Sequence, residues 1–126
     1  MKKTKFIELK EVFKILHSPK GCLWDKEQTH KSLIPYLREE SEEFIAEVKK
    51  GDLHKMKDEL GDILLQVMFH SQLASKEGRF DIEDVIDNLI KKLKRRHPHV
   101  FGNVKVKSSQ QVIRNWNKIK AKEKKK

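Results

Sequence analysis

Cysteine, proline and glycine are scarce in this 126-residue chain, at one, three and five residues. The single cysteine, Cys22, excludes an intrachain disulfide and any cysteine-rich zinc site. No apolar run approaches the roughly 20 residues of a membrane-spanning helix, so no membrane association is expected. The basic start, Met1 to Lys5, leads into neither a continuous apolar stretch nor a small-residue cleavage site. No signal peptide is therefore expected, and a cytoplasmic location is the default. No alternating apolar–polar run marks a strand. Acid is missing from one end: residues 91–126 hold fourteen Lys or Arg and one acid, Glu123, for a net +13, whereas residues 1–90 carry −3. A basic end beside an acidic middle suits nucleic-acid binding, or a phosphate-gripping and a metal-gripping region within one active site.

The rare breakers fall between periodic stretches, so the chain reads as one all-α domain over residues 1–126. Phe6, Leu9, Phe13 and Leu16 predict a first helix over Lys5 to His17 with Thr4 as its cap. Residues 18–31 read as a loop. A second helix is expected from Thr29 or Ser32 to Gly51, with Pro35 tolerated in the first turn. A third starts at Asp52 and reaches about Ser75, and a fourth runs from an Asp81 cap to about Arg96, where Pro98 stops it. His97 to Lys107 reads as loop or short irregular structure. Ser108 with Gln111 is a capping-box pattern opening a last helix through Trp116 towards Lys122. Residues 121–126 read as a frayed basic tail. Two long central helices suggest a bundle, and dimerisation is expected to cover whatever apolar face they leave open.

Helices two and three carry the chemical signal. At about 100° per residue, Leu33, Leu37, Phe44 and Val48 share one face, with Glu40 on its border and Glu43 and Glu47 beside it. Glu42 points to the opposite side and Glu39 to a flank. Helix three is apolar nearly all round from Leu60 to Phe69, which predicts burial. Even so, Glu59, Asp62, Gln66 and His70 form a polar stripe along it. Buried carboxylates are costly unless paired or metal-bound. Each i, i+3 pair, Glu40 with Glu43 and Glu59 with Asp62, can reach one point, and four converging carboxylates are what Mg²⁺ accepts. Mg²⁺ of this kind usually meets substrate phosphates. A Glu-rich helix surface paired with lysines is the plainer reading of helix two.

Glu39-Glu40-Ser41-Glu42-Glu43, followed after fifteen residues by Glu59-Leu60-Gly61-Asp62, resembles the EExxE…ExxD signature of MazG-type nucleotide pyrophosphohydrolases. Trp24-Asp25-Lys26-Glu27-Gln28-Thr29-His30 resembles that family's WDxxQTH segment, and Glu77-Gly78-Arg79-Phe80 and Arg95 to Phe101 resemble later motifs. Trp116 with Lys118 and Lys120 resembles its C-terminal tryptophan–lysine segment. Leu23 stands where the family often has proline before the tryptophan, which affects the loop rather than the acids. The resemblance implies an all-α helical bundle, a homodimer or higher homo-oligomer, and Mg²⁺-dependent hydrolysis of nucleoside triphosphates to monophosphate and pyrophosphate, with Mn²⁺ as a substitute metal. It implies metal ligands at Glu40, Glu43, Glu59 and Asp62, and Glu39 as a further ligand or water-orienting group. Nucleotide contacts then map onto Lys55, Asp58, Lys92, Arg95, Arg96, Trp116 and Lys120.

The reaction so implied is attack of water on the α-phosphorus, with Glu39 or Glu43 positioning the water or taking its proton. Lys92 and Arg96, at i and i+4, can stabilise phosphate charge; they equally suit a solvated basic helix end. Trp116 can stack on a base or pack its helix. Trp24 reads as a loop anchor, and His97 and His99 as phosphate contacts or loop-shaping residues. Two competing readings are a basic helical nucleic-acid-binding module and a catalytically weak regulatory or assembly protein of the same fold. The first gives no reason for Glu59 and Asp62 within an apolar helix, so nucleic acid is not the expected main partner.

Overall fold

A computed structural model describes residues 2–125. Among them lie seven helices and no strand: α1 (Lys5–Leu16), α2 (Leu23–Glu27), α3 (Ile34–Lys50), α4 (Leu53–Lys76), α5 (Ile82–Arg96), α6 (Pro98–Phe101) and α7 (Ser109–Lys124). They fall into two compact units, Met1–Ile82 and Glu83–Lys126. No helix is long and apolar enough to cross a membrane.

In the first unit, the Thr4 hydroxyl accepts from the Ile7 amide at 3.2 Å and caps α1 as the sequence predicts. The chain turns back at Gly21, where a Cβ would fall 2.1 Å from the Leu16 carbonyl oxygen. Only glycine fits that approach. The segment expected to be a loop contains the five-residue α2. Long-range aromatic packing supports it: the Trp24 ring meets Tyr36 edge-on at 5.6 Å and Phe69 at 6.2 Å, so Trp24 is the anchor expected of it.

The second long helix starts at Ile34, later than either expected start. Thr29 and Ser32 close a turn ahead of it, each amide donating to the other's hydroxyl at 2.8 and 3.0 Å. Pro35 sits in the first turn, where its missing N–H leaves no gap. Gly51 ends α3 in the left-handed region at φ 74°, and the Asp52 carboxylate accepts from the Lys55 amide at 3.1 Å to open α4. These two residues are the whole turn of the α3–α4 hairpin.

Phe13, Leu33, Met68, Phe69 and Leu73 form the core, with Phe6, Leu9 and Ile82 against it. Burying each such side chain contributes roughly 1.5–3 kcal/mol. This core gathers where α1 and α3 both reach the C-terminal half of α4. The N-terminal half has no such cover. Leu60 and Leu64 there, and Leu65 and Val67 just past the midpoint, are 39–49 % exposed, which corrects the expectation that this helix is buried on all sides. Leu37 and Val48 of α3 are exposed as well.

The second unit holds α5 from Glu83 onward, α6 and α7. α6 is a single turn inside the stretch read as loop or irregular. The Ser108 hydroxyl accepts from the Gln111 amide at 3.2 Å, and the Gln111 side-chain oxygen accepts from the Lys107 amide at 2.6 Å. This is a capping box shifted by one residue. α7 then runs to Lys124, through most of the stretch expected as a frayed tail; Lys126 lies outside the described residues. Glu123 ties that end down, accepting from Arg95 at 2.6 Å and Arg96 at 2.7 Å.

Candidate active site

The α3–α4 hairpin brings together the four carboxylates singled out in the sequence. Glu40 and Glu43 lie on successive turns of α3, and Glu59 and Asp62 on successive turns of α4. One oxygen from each lies within 4.8 Å of all the others. Glu40, Glu59 and Asp62 are partly buried, and Glu43 is exposed. The Oε2 atoms of Glu40 and Glu59 are inaccessible and have no hydrogen-bond partner.

This arrangement is electrostatically unsatisfied. Among the described residues no Lys or Arg pairs with any of the four. Burial, then the charges of Asp62, Glu43 and Glu59, push the Glu40 carboxyl up to about 7. Burial and contact with Glu43 likewise raise Glu59, with Asp62 and Asp58 adding to the effect. Neutral carboxyls are one escape from the repulsion, and a divalent cation is the other. The donors are all hard oxygens, with no nitrogen or sulfur among them. That set suits Mg²⁺ or Mn²⁺ rather than a thiolate-seeking metal.

Glu39, Lys55 and Asp58 are exposed residues of the same hairpin and lie outside the four-carboxylate cluster. The other expected contacts lie in the second unit. Lys92, Arg95 and Arg96 are on α5, and Trp116 and Lys120 on α7. The structure brings Arg96 to Trp116, with the guanidinium 5.6 Å from the ring centroid. His97 meets the same ring edge-on at 4.8 Å, and its Nδ1 is 2.7 Å from the Leu93 carbonyl oxygen. His97 thus shapes the join between α5 and α7. Arg95 and Arg96 both bind Glu123, holding that carboxyl down at about 2.

Residues 28–101 match the model of the MazG nucleotide pyrophosphohydrolase domain, more than half of the chain. The chain belongs to the MazG family. It is 52 % identical over 119 residues to the nucleoside triphosphate pyrophosphohydrolase/pyrophosphatase MazG of Thermotoga maritima, covering 94 % of this chain and 45 % of that protein. It is 44 % identical over 103 residues to the nucleoside triphosphate pyrophosphohydrolase of Escherichia coli K12, covering 82 % and 39 %. The chain therefore spans less than half the length of these curated relatives. The crystal structure of a mazG-related protein from Thermotoga maritima superposes with a TM-score of 0.69 at 27 % identity, covering 88 % of this chain and 97 % of that one. The MazG match takes in the acid cluster together with Lys92, Arg95 and Arg96, while Trp116 and Lys120 lie beyond it.

Three features of this MazG chain escaped the sequence reading. Glu47 is buried, with Oε1 on Lys50 at 3.3 Å and Oε2 unpartnered. His30 and His70 are bonded to one another. Glu123, placed in an expected tail, is the clamp on two arginines. The signal for Glu123 was present: it is the one acid in a segment of fourteen bases.

Proposed function

We propose that this MazG chain hydrolyses nucleoside triphosphates to nucleoside monophosphate and pyrophosphate, acting in the cytoplasm as a homo-oligomer. The observation that carries the reading is the cluster of four unpaired carboxylates within 4.8 Å in a chain of this family. Glu40, Glu43, Glu59 and Asp62 would hold Mg²⁺, with Mn²⁺ as a substitute. When bound, the metal neutralises triphosphate charge and acidifies a coordinated water.

Glu39 or Glu43 would hold the attacking water and take its proton. The new bond joins the water oxygen to the α-phosphorus, and the bond to the bridging oxygen breaks as pyrophosphate leaves. Lys92, Arg95, Arg96 and Lys120 would bind phosphate oxygens, with Lys55 and Asp58 next to the acid cluster and Trp116 against the base. Exposed Leu60, Leu64 and Leu65 of α4 support association with a second copy, since contiguous apolar surface favours an interface.

The test is pyrophosphate release from a panel of canonical and modified NTPs and dNTPs, with Mg²⁺ or EDTA, for the wild type and Asp62→Asn. Paired release of pyrophosphate and monophosphate is expected, abolished by EDTA and reduced at least about 100-fold by the substitution. A folded, Mg²⁺-loaded protein that cleaves none of them overturns the reading. The basic second unit favours one other reading, nucleic-acid binding, which predicts metal-independent binding that weakens steeply with salt.

A further inference from the structure

Arg95 and Arg96 are adjacent on α5, yet their guanidiniums converge on a single acceptor. Arg95 Nε donates to Glu123 Oε2 at 2.6 Å, and Arg96 donates to Glu123 Oε1 at 2.7 Å. Two short charge-assisted bonds to one carboxylate are the geometry with which arginines grip an anion. A cleft of about 520 Å³, lined by Arg95, Ile119, Lys122 and Glu123, opens beside this contact. That volume lies in the range of small-ligand sites. Its lining offers two cations, and its one acid is the residue already on the arginines.

We propose that Glu123 is a built-in occupant of the anion site formed by Arg95 and Arg96, and that the phosphates of a nucleotide, or free pyrophosphate, bind there by displacing it. The proposal rests on the reading of these arginines as phosphate contacts. Three observations favour an exchangeable occupant over a fixed strut. The Arg95 side chain is 48 % exposed, so an incoming anion can reach this arm of the clamp from solvent, whereas Arg96 and Glu123 are more sheltered at 18 % and 21 %. Arg96 Nε is buried and has no acceptor, so the carboxylate leaves part of that guanidinium's donor capacity unused. A phosphate presents more anionic oxygens than a carboxylate and can meet both arginines and Lys122 together. While Glu123 is seated, the competent fraction of the site is reduced, and the observed affinity for an incoming anion falls by that same fraction.

The experiment is calorimetric titration of the full chain with inorganic pyrophosphate in EDTA, which removes the metal cluster from the comparison. Glu123→Gln is expected to bind about fivefold more tightly than wild type, the order of gain from relieving one partly exposed ion pair. Adding Arg96→Gln to that variant should erase the gain. If Glu123→Gln binds equally or more weakly while Arg95→Gln or Arg96→Gln weakens the wild type, the arginines are anion contacts and Glu123 is only a strut. If neither arginine substitution changes binding in either background, the phosphate reading of these residues falls, and the proposal falls with it. Should Glu123→Gln lose helix by circular dichroism, Glu123→Asp, too short to reach both guanidiniums, carries the same expectation.

Discussion

His30 and His70 meet nitrogen to nitrogen, with their Nδ1 atoms 2.8 Å apart, their ring centroids 5.1 Å apart and their planes within 9°. The nitrogens are closer than the centroids by about a ring's width, so the rings meet edge to edge along one N–H···N line. Such a bond holds one proton. His30 Nε2 lies 3.3 Å from Glu77 Oε1, which keeps the hydrogen on Nε2. In the neutral pair His30 Nδ1 therefore accepts and His70 Nδ1 donates. The bond ties the turn before α3 to the C-terminal half of α4.

Burial, then the neighbouring His30, lowers the His70 pKa below its ordinary 6.5. As pH falls through 6.5, the unfolded chain takes up a proton that the folded chain resists. Stability from this residue is thus fully present above pH 6.5 and is lost as pH falls towards the depressed folded value. Urea midpoints at about pH 7 and about pH 5.5 should fall on acidification in the wild type, and fall less in His70→Gln. Equal falls in the two proteins would show that the pair does not sense pH.

Glu40→Gln should separate stability from activity. Removing one negative charge from four crowded carboxylates relieves repulsion, so the melting temperature in EDTA should rise by about 2–4 °C. The same change removes a proposed metal ligand, so the further rise that Mg²⁺ gives the wild type should shrink and turnover should fall at least about 100-fold. A variant that melts lower than wild type in EDTA would show that the four carboxylates do not repel one another in the metal-free protein.

Leu64 is 44 % exposed on the half of α4 that α1 leaves uncovered. If a second copy covers this surface, Leu64→Lys should shift the protein towards monomer in sedimentation velocity while its helical circular dichroism is retained. A wild type that sediments as a monomer across the micromolar range would remove the homo-oligomer from the proposal.

Local chemistry was legible in the sequence. The caps at Thr4 and Ser108 are bonds between a side chain and a backbone amide three residues on, so residue type and spacing announced them, and Asp52, expected as the start of its helix, caps it in the same way. The acid pairs were legible for the same reason, because a one-turn spacing fixes a shared face. Distant contacts were not. His30 bonds His70 across 40 positions, and Arg95 bonds Glu123 across 28. α2 owes its place to Trp24 meeting Phe69, far along the chain. Burial on α4 misled for a related reason. An all-round apolar sequence marks a helix for covering, but which faces are covered depends on which helices arrive, and α1 reaches only part of it.

Gly51 and Asp52 alone separate the helix bearing one acid pair from the helix bearing the other. A residue inserted into the first turn of α4 itself, between the Asp52 cap and Glu59, would rotate the rest of the helix by about 100° and slide it by about 1.5 Å. Glu59 and Asp62 would swing away from Glu40 and Glu43, and Phe69 and Leu73 would leave the core in the same movement. Spelling can drift at this corner as long as the left-handed residue and the cap survive, but the count of helical residues between the cap and the acids cannot. That count acts as a phase lock, holding chemistry and packing to one shared angle.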